Sequence, residues 1–128
     1  MISPEQEIFT AFRKIGAGIP GWATYDYLPG KGTKYPFLFI GEEYGGMRSV
    51  KVGRMGTVTQ TVHFYSDDPH RRGDVSKAME DFVREALMLS RTRSYYVDTS
   101  DYDMQVVWDS STGTPLIHGI LEFNVNYY

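Results

Sequence analysis

Two periodicities meet in the middle of the chain. From Val58 to Tyr65 the side chains alternate, with Val58, Gln60, Val62 and Phe64 on one side and Thr59, Thr61, His63 and Tyr65 on the other. A period of two in β-branched and aromatic residues predicts a strand. From Asp74 the period changes, and Val75, Ala78, Met79, Phe82, Ala86 and Leu89 form one apolar stripe of a helix. Lys77, Glu80, Asp81, Arg84 and Glu85 lie off that stripe. Their oppositely charged pairs add only ~0.2–0.5 kcal/mol each, so the apolar stripe decides where the helix docks. It is predicted to cover a sheet supplied by the remaining strands.

The rest of the chain furnishes that sheet. Ser3, Pro4, Glu5 and Glu7 are the opening of a helix, and Ile8, Ala11, Phe12 and Ile15 give it an apolar face up to Gly16. The run Gly16–Gly21, GAGIPG, has the spacing of a dinucleotide-binding turn. It follows a helix, and no helical pattern opens after it, so it reads as a loop. Trp22–Tyr27 is a short aromatic strand. Phe37–Ile40 is apolar on both faces, as a covered central strand would be, and runs on to Tyr44. After the central helix come a short strand at Ser94–Val97, an acidic turn at Asp98–Asp103 and an alternating strand at Met104–Asp109. Turn residues then lead into the long alternation of Leu116–Tyr128, expected to pair with Met104–Asp109 as an antiparallel hairpin. The pattern predicts one α+β domain over residues 1–128, a largely antiparallel, mixed sheet with an N-terminal and a central helix packed on it.

Gly45–Gly56, GGMRSVKVGRMG, interrupts this pattern with four glycines, three cations and no anion. Ordering about twelve residues costs on the order of 10 kcal/mol, and two Met and two Val offer little burial in return. The stretch is therefore expected to be a flexible basic loop that orders against a partner.

Composition narrows the function by exclusion. A chain of 128 residues with 41% hydrophobic and 23% charged content is an ordinary globular domain. Its net charge of −3 offers no general field for nucleic acid or an anionic membrane. No apolar run approaches the ~18 residues of a membrane span, and the first residues lack the pattern of a secretion signal. With no cysteine there is neither a disulfide nor a thiolate ligand. His63, His70 and His118 are far apart in sequence, and His63 and His118 can meet only if their strands are neighbours. No nucleophile, phosphate or metal motif is present. The expectation is a non-enzymatic protein with no catalytic, cofactor or metal residues and no cofactor. Ten Tyr among the 15% aromatic residues suit large cross-strand pairs, or protein contacts where a ring with a polar tip is useful. Arg48, Lys51 and Arg54 oppose Asp98, Asp101, Asp103 and Asp109, a segregation suited to head-to-tail association.

The layout resembles the tail-terminator, or tail-completion, proteins of long-tailed bacteriophages. The likeness lies in pattern across nearly the whole chain: an N-terminal helix, the apolar strand YPFLFIGEEY, the strand–turn–helix TVTQTVHFYSDDPHRRGDVSKAMEDFVREAL and the closing strand GILEFNVNYY. The resemblance implies a virion protein at the tail–head junction, assembled in the bacterial cytoplasm. Such a protein caps the tail tube as a homohexameric ring, terminates tail polymerisation and offers a docking surface to the head connector. Its partners are further copies of itself, the tail-tube protein, the connector and, transiently through the pore, DNA; no membrane is involved. The alternatives are a head-closure or neck protein of the same particle, or a small ligand-binding domain. The expected interface residues are Met47, Arg48, Lys51, Arg54 and Met55 on the loop, followed by Thr59, Thr61, His63 and Tyr65.

Overall fold

The computed structural model describes residues 3–50, 53–111 and 113–128, the side chains of 46–54 excepted. Helix α1 spans Pro4–Ala17; the Ser3 hydroxyl accepts the Gln6 amide at its start, and Pro4 sits in the first turn. Strands β1 (Ala23–Tyr25), β2 (Phe37–Val50) and β3 (Gly53–Ser66) follow, then helix α2 (Arg72–Leu87), β4 (Val97–Asp109) and β5 (Leu116–Tyr127). The five strands form one sheet in the order β1-β2-β3-β5-β4. β1 runs parallel to β2, and the other neighbours are antiparallel. This is the α+β architecture the periodicities predict, with both helices on one face.

The helical face is the core. The inward side of the alternation places Val58, Val62 and Phe64 of β3 with Leu38 and Ile40 of β2 and Leu121, Phe123 and Val125 of β5, all buried. The helices answer with Ile8 and Phe12 from α1 and with Val75, Ala78, Met79, Phe82, Val83 and Ala86 from α2. Phe12 and Phe82 meet edge to face at 5.7 Å between ring centres, and Phe12 meets Phe123 at 5.1 Å. These tilted rings interlock the two helices with the sheet. Gly119 makes the close approach possible, because a Cβ there would meet the Met79 sulfur at 2.5 Å. Glu7 is the buried charge of this layer. Burial opposes its ionisation, but the Ser94 amide and the Thr92 hydroxyl donate to it and hold its carboxyl below the usual range. It thereby ties α1 to the segment after α2.

Two sequence expectations are corrected. Most of Gly45–Gly56 is strand: β2 runs on to Val50 and β3 begins at Gly53, pairing Gly45 with Val58, Met47 with Gly56 and Val50 with Gly53. The inner strands fix the register, and each further pair satisfies backbone groups whatever its side chains. Counting side-chain burial alone misses that gain. The acidic stretch Asp98–Asp103 is likewise strand, not turn. Ser94–Val97 and Met104–Asp109 do not stand as separate strands; one β4 runs from Val97 to Asp109, with a register shift between Asp98 and Asp101 where Asp98 accepts the Ser100 amide. Its carboxylates are affordable because β4 lies at the sheet edge, where charge meets water.

Candidate interaction surface

The opposite face of the sheet carries no helix among the described residues. Its side chains are the outward members of the same alternations. β3 supplies Thr57, Thr59, Thr61, His63 and Tyr65; β5 supplies His118, Ile120, Glu122, Asn124 and Asn126; β2 supplies Phe37 and Phe39. Cross-strand polar pairs knit the upper part, with the Thr57 and Thr59 hydroxyls donating to Asn126 and Asn124 at 2.7 Å each. Asn124 in turn donates to Asp101 on β4 at 3.1 Å.

Lower on this face, β3 and β5 are neighbours, and His63 meets His118. His63 Nδ1 lies 2.8 Å from His118 Nε2, and His63 Nε2 lies 3.1 Å from Glu42 Oε1. The Thr61 hydroxyl donates to the same Glu42 oxygen at 2.8 Å. With Glu42 ionised, His63 donates to it through Nε2 and accepts from His118 through Nδ1, so one tautomer satisfies the whole row. Burial works against the Glu42 charge, yet the hydrogen bonds from Thr61 and His63 hold its carboxyl below the usual range. Aromatic rings wall the row. Phe39 stacks on His63 at 4.7 Å and Tyr65 on His118 at 4.2 Å. Burial, and then the adjacent His63, push the His118 imidazole down to about 4. A proton on His118 would place its charge in a half-buried site walled by aromatic rings.

That depression has a definite pH signature. The folded His118 resists protonation while the unfolded one, near 6.5, accepts it, so its support of the fold is complete above pH 6.5 and is lost as pH falls towards 4. Acidification from pH 7 to 4.5 is expected to cost the wild type ~1–2 kcal/mol more than His118→Gln, after allowing for the solvent around a half-buried ring. Denaturant midpoints of both proteins at the two pH values measure the difference.

At the root of the hairpin a second polar pair lies on the helical side. One Glu43 oxygen is buried without a hydrogen-bond partner, and burial, reinforced by Glu5, raises its carboxyl to about 7. Glu5 itself reaches over Gly45, where a Cβ would come within 2.8 Å of its carboxylate. A raised carboxyl stabilises the fold fully below 4.5 and less as pH climbs through 7. Glu43→Gln is expected to raise stability by ~1–2 kcal/mol at pH 8 and to be close to neutral at pH 4.5. Equilibrium unfolding at both pH values checks the sign.

The predicted interface residues fall into two groups. Thr59, Thr61, His63 and Tyr65 share the open face, but Thr61 and His63 are engaged with Glu42, and Tyr65 is stacked between Phe37 and His118. Thr59 is committed to Asn124. On this face they tie neighbouring strands together in register. Met55 is half-buried at the start of β3, opposite Arg48. Lys51 lies outside the described residues, as do the side chains of Met47, Arg48 and Arg54. Sequence reasoning missed Glu42, Phe39 and the Asp109 carboxylate near His118, because their meeting depends on the β2-β3-β5-β4 order. Alternation alone places a residue on a face, not beside a partner.

The remaining hollows are shallow. One of about 530 Å³ lies between Ile19–Trp22 and the start of α2. Several of its charges are paired with one another: Arg71 bridges Asp68 and Asp74, and Lys77 reaches Asp81. Among the described residues no group of three or more His, Asp or Glu side chains is arranged to hold a metal. No helix there is long and apolar enough to cross a membrane.

Compared with known proteins, the chain matches no family model and no curated sequence. Its fold does match a solved structure. It is similar to a chain in the virion of a native gene transfer agent particle, with a TM-score of 0.68 over 98% of this chain and 99% of that one. Identity between the two is 12%, so what they share is the fold.

Proposed function

We propose that this protein is a structural component of a phage-like virion, a non-enzymatic subunit that closes into a homohexameric ring on the end of the tail tube. There it stops tube polymerisation and presents a docking surface to the head connector, with DNA passing through the pore. It is made in the host cytoplasm and remains in the particle. The observation that carries this reading is the end-to-end match of fold with a gene transfer agent virion chain, which leaves out almost none of either protein. The tail-terminator layout in the sequence gives the finer role. The surface agrees in kind. Exposed aromatic and apolar side chains stand on the sheet edges, with Tyr44 on β2 and Tyr102, Met104 and Trp108 on β4, and at the end of α2, with Leu87 and Met88.

In this role the subunit's binding free energy goes into ring closure and stacking. Met47, Arg48, Lys51, Arg54 and Met55 on the hairpin, with Thr59, Thr61, His63 and Tyr65 on the open face, are assigned to contacts with the neighbouring subunit, the tube or the channel. The hairpin tip is proposed to be loose in a lone subunit and ordered in the ring. Mass measured in solution across a concentration series tests the assembly: a hexamer, or a monomer that converts to one, is expected. A chain that stays monomeric at high micromolar concentration, with tail tube present, contradicts it.

A further inference from the structure

The sheet has two open edges of unlike character. β4 is the outermost strand on one side, and among the described residues its thirteen-residue outer edge has no strand beside it. On the other side β1 covers only Phe37–Phe39 of β2. From Glu43 to Val50 the outer edge of β2 is therefore also without a strand among the described residues. Unpaired edges of this length are templates for another strand, and single-chain proteins usually blunt them. Here neither edge carries a proline, and both bear large exposed side chains: Tyr44 on β2 is 63% exposed, and Tyr102, Met104 and Trp108 on β4 are 38%, 45% and 56% exposed.

The charges of the two edges are opposite where it matters. Val97–Asp109 contains Asp98, Asp101, Asp103 and Asp109 and no cation. The distal end of β2 and its hairpin carry Arg48, Lys51 and Arg54 and no anion from Gly45 to Gly56. Glu42, lower on β2, is already bound to Thr61 and His63. Along the sheet the heights agree as well. Asp98 pairs through Asn126 and Thr57 to the level of Gly46, and Asp101 pairs through Asn124 and Thr59 to the level of Tyr44. Polarity completes the match. β2 and β5 run one way, β3 and β4 the other, so β4 of one copy laid beside β2 of the next is an antiparallel pair.

Resting on the ring reading above, we infer that the partner of the β4 edge is the distal β2 edge of a second copy of this chain, an antiparallel pairing that gives one continuous sheet across every subunit boundary. The contact is heterologous, since β4 and β2 are different surfaces, and repeats head to tail until the rotation closes. Main-chain hydrogen bonds supply the adhesion, and the aspartates and the basic hairpin set register and direction. On the helical side the same step turns the groove lined by Val83, Leu87, Met88, Tyr102 and Met104 towards the α1 side of the neighbour.

Cysteine cross-linking in the full-length chain tests the seam without background, because the sequence has no cysteine. A disulfide needs Cα atoms within roughly 4.4–6.8 Å, a spacing that directly paired strands meet. Double variants carrying Asp101→Cys with Tyr44→Cys, Gly46→Cys or Arg48→Cys sample three registers. At least one is expected to give, on oxidation, a covalent ladder ending at the ring. Charge exchange is the second arm. D98K/D101K/D103K and R48E/K51E/R54E, each checked for wild-type circular dichroism, are expected to lose assembly alone and to regain it when mixed, as an alternating ring. If wild-type rings form while no register cross-links and the mixture stays unassembled, the seam is overturned and the ring reading stands. If the wild type forms no ring, both fall.

Discussion

Replacing Phe82 with alanine is expected to lower the unfolding free energy by ~3–5 kcal/mol, a large share of the ~5–15 kcal/mol that holds a domain of this kind together. Phe82 is fully buried on α2, where its ring meets Phe12 of α1 at 5.7 Å, Phe64 of β3 at 6.0 Å and Phe123 of β5 at 6.0 Å. It thereby joins both helices to β3 and β5 through aromatic rings, as Phe123 joins both helices to β5 and β4. Truncation leaves a void bounded by elements whose positions are fixed elsewhere, so collapse around it is limited and the cost falls at the upper part of the range. Thermal or chemical denaturation reads the loss directly. Phe82→Leu, which refills most of the volume, is expected to recover more than half of it. A Phe82→Ala protein as stable as wild type would mean that the helices do not sit on the sheet as described.

The second large effect is on assembly and leaves the fold untouched. Reversing Arg48, Lys51 and Arg54 together is expected to abolish tail completion while the monomer keeps its wild-type melting temperature. Arg48 lies on β2 and Arg54 on β3, beyond the part of the sheet that β1 covers, and Lys51 falls between them in sequence; none of the three belongs to the buried core, so their charges are expected to act on encounter and register. In-cell complementation, scored as finished infectious or DNA-transferring particles, gives the functional readout, and differential scanning fluorimetry gives the control. Normal particle yield from the reversed protein would remove the hairpin cations from the account.

The comparison of sequence with structure divides along the reach of local physics. The α2 stripe, the capped start of α1 and the alternations of β3 and β5 were legible because each follows from residues close in sequence. The loop expected at Gly45–Gly56 came from weighing side-chain burial against chain entropy. What that weighing could not contain was the register inherited from Phe37–Tyr65 and Leu38–Phe64, which carries the ladder outward through glycines. The acidic stretch misled for a related reason. Asp98, Asp101 and Asp103 look like turn residues in a window, and only the edge position of β4 makes them acceptable in a strand. Of the polar cluster, His63 and His118 were visible as a conditional pair. Glu42 was not, because a register irregularity between Ile40 and Glu43 sets where the intervening side chains fall, and alternation read from sequence does not foresee it.

In the proposed role, one face of the sheet holds the subunit together, and the other face and the edges hold the assembly. Electron micrographs of particles made without this protein test that role most directly. If it caps the tube, tails lacking it are expected to be overlong and variable in length, with no heads attached. Tails of normal, uniform length that merely fail to join heads would contradict the capping role and assign the protein to the connector side of the junction.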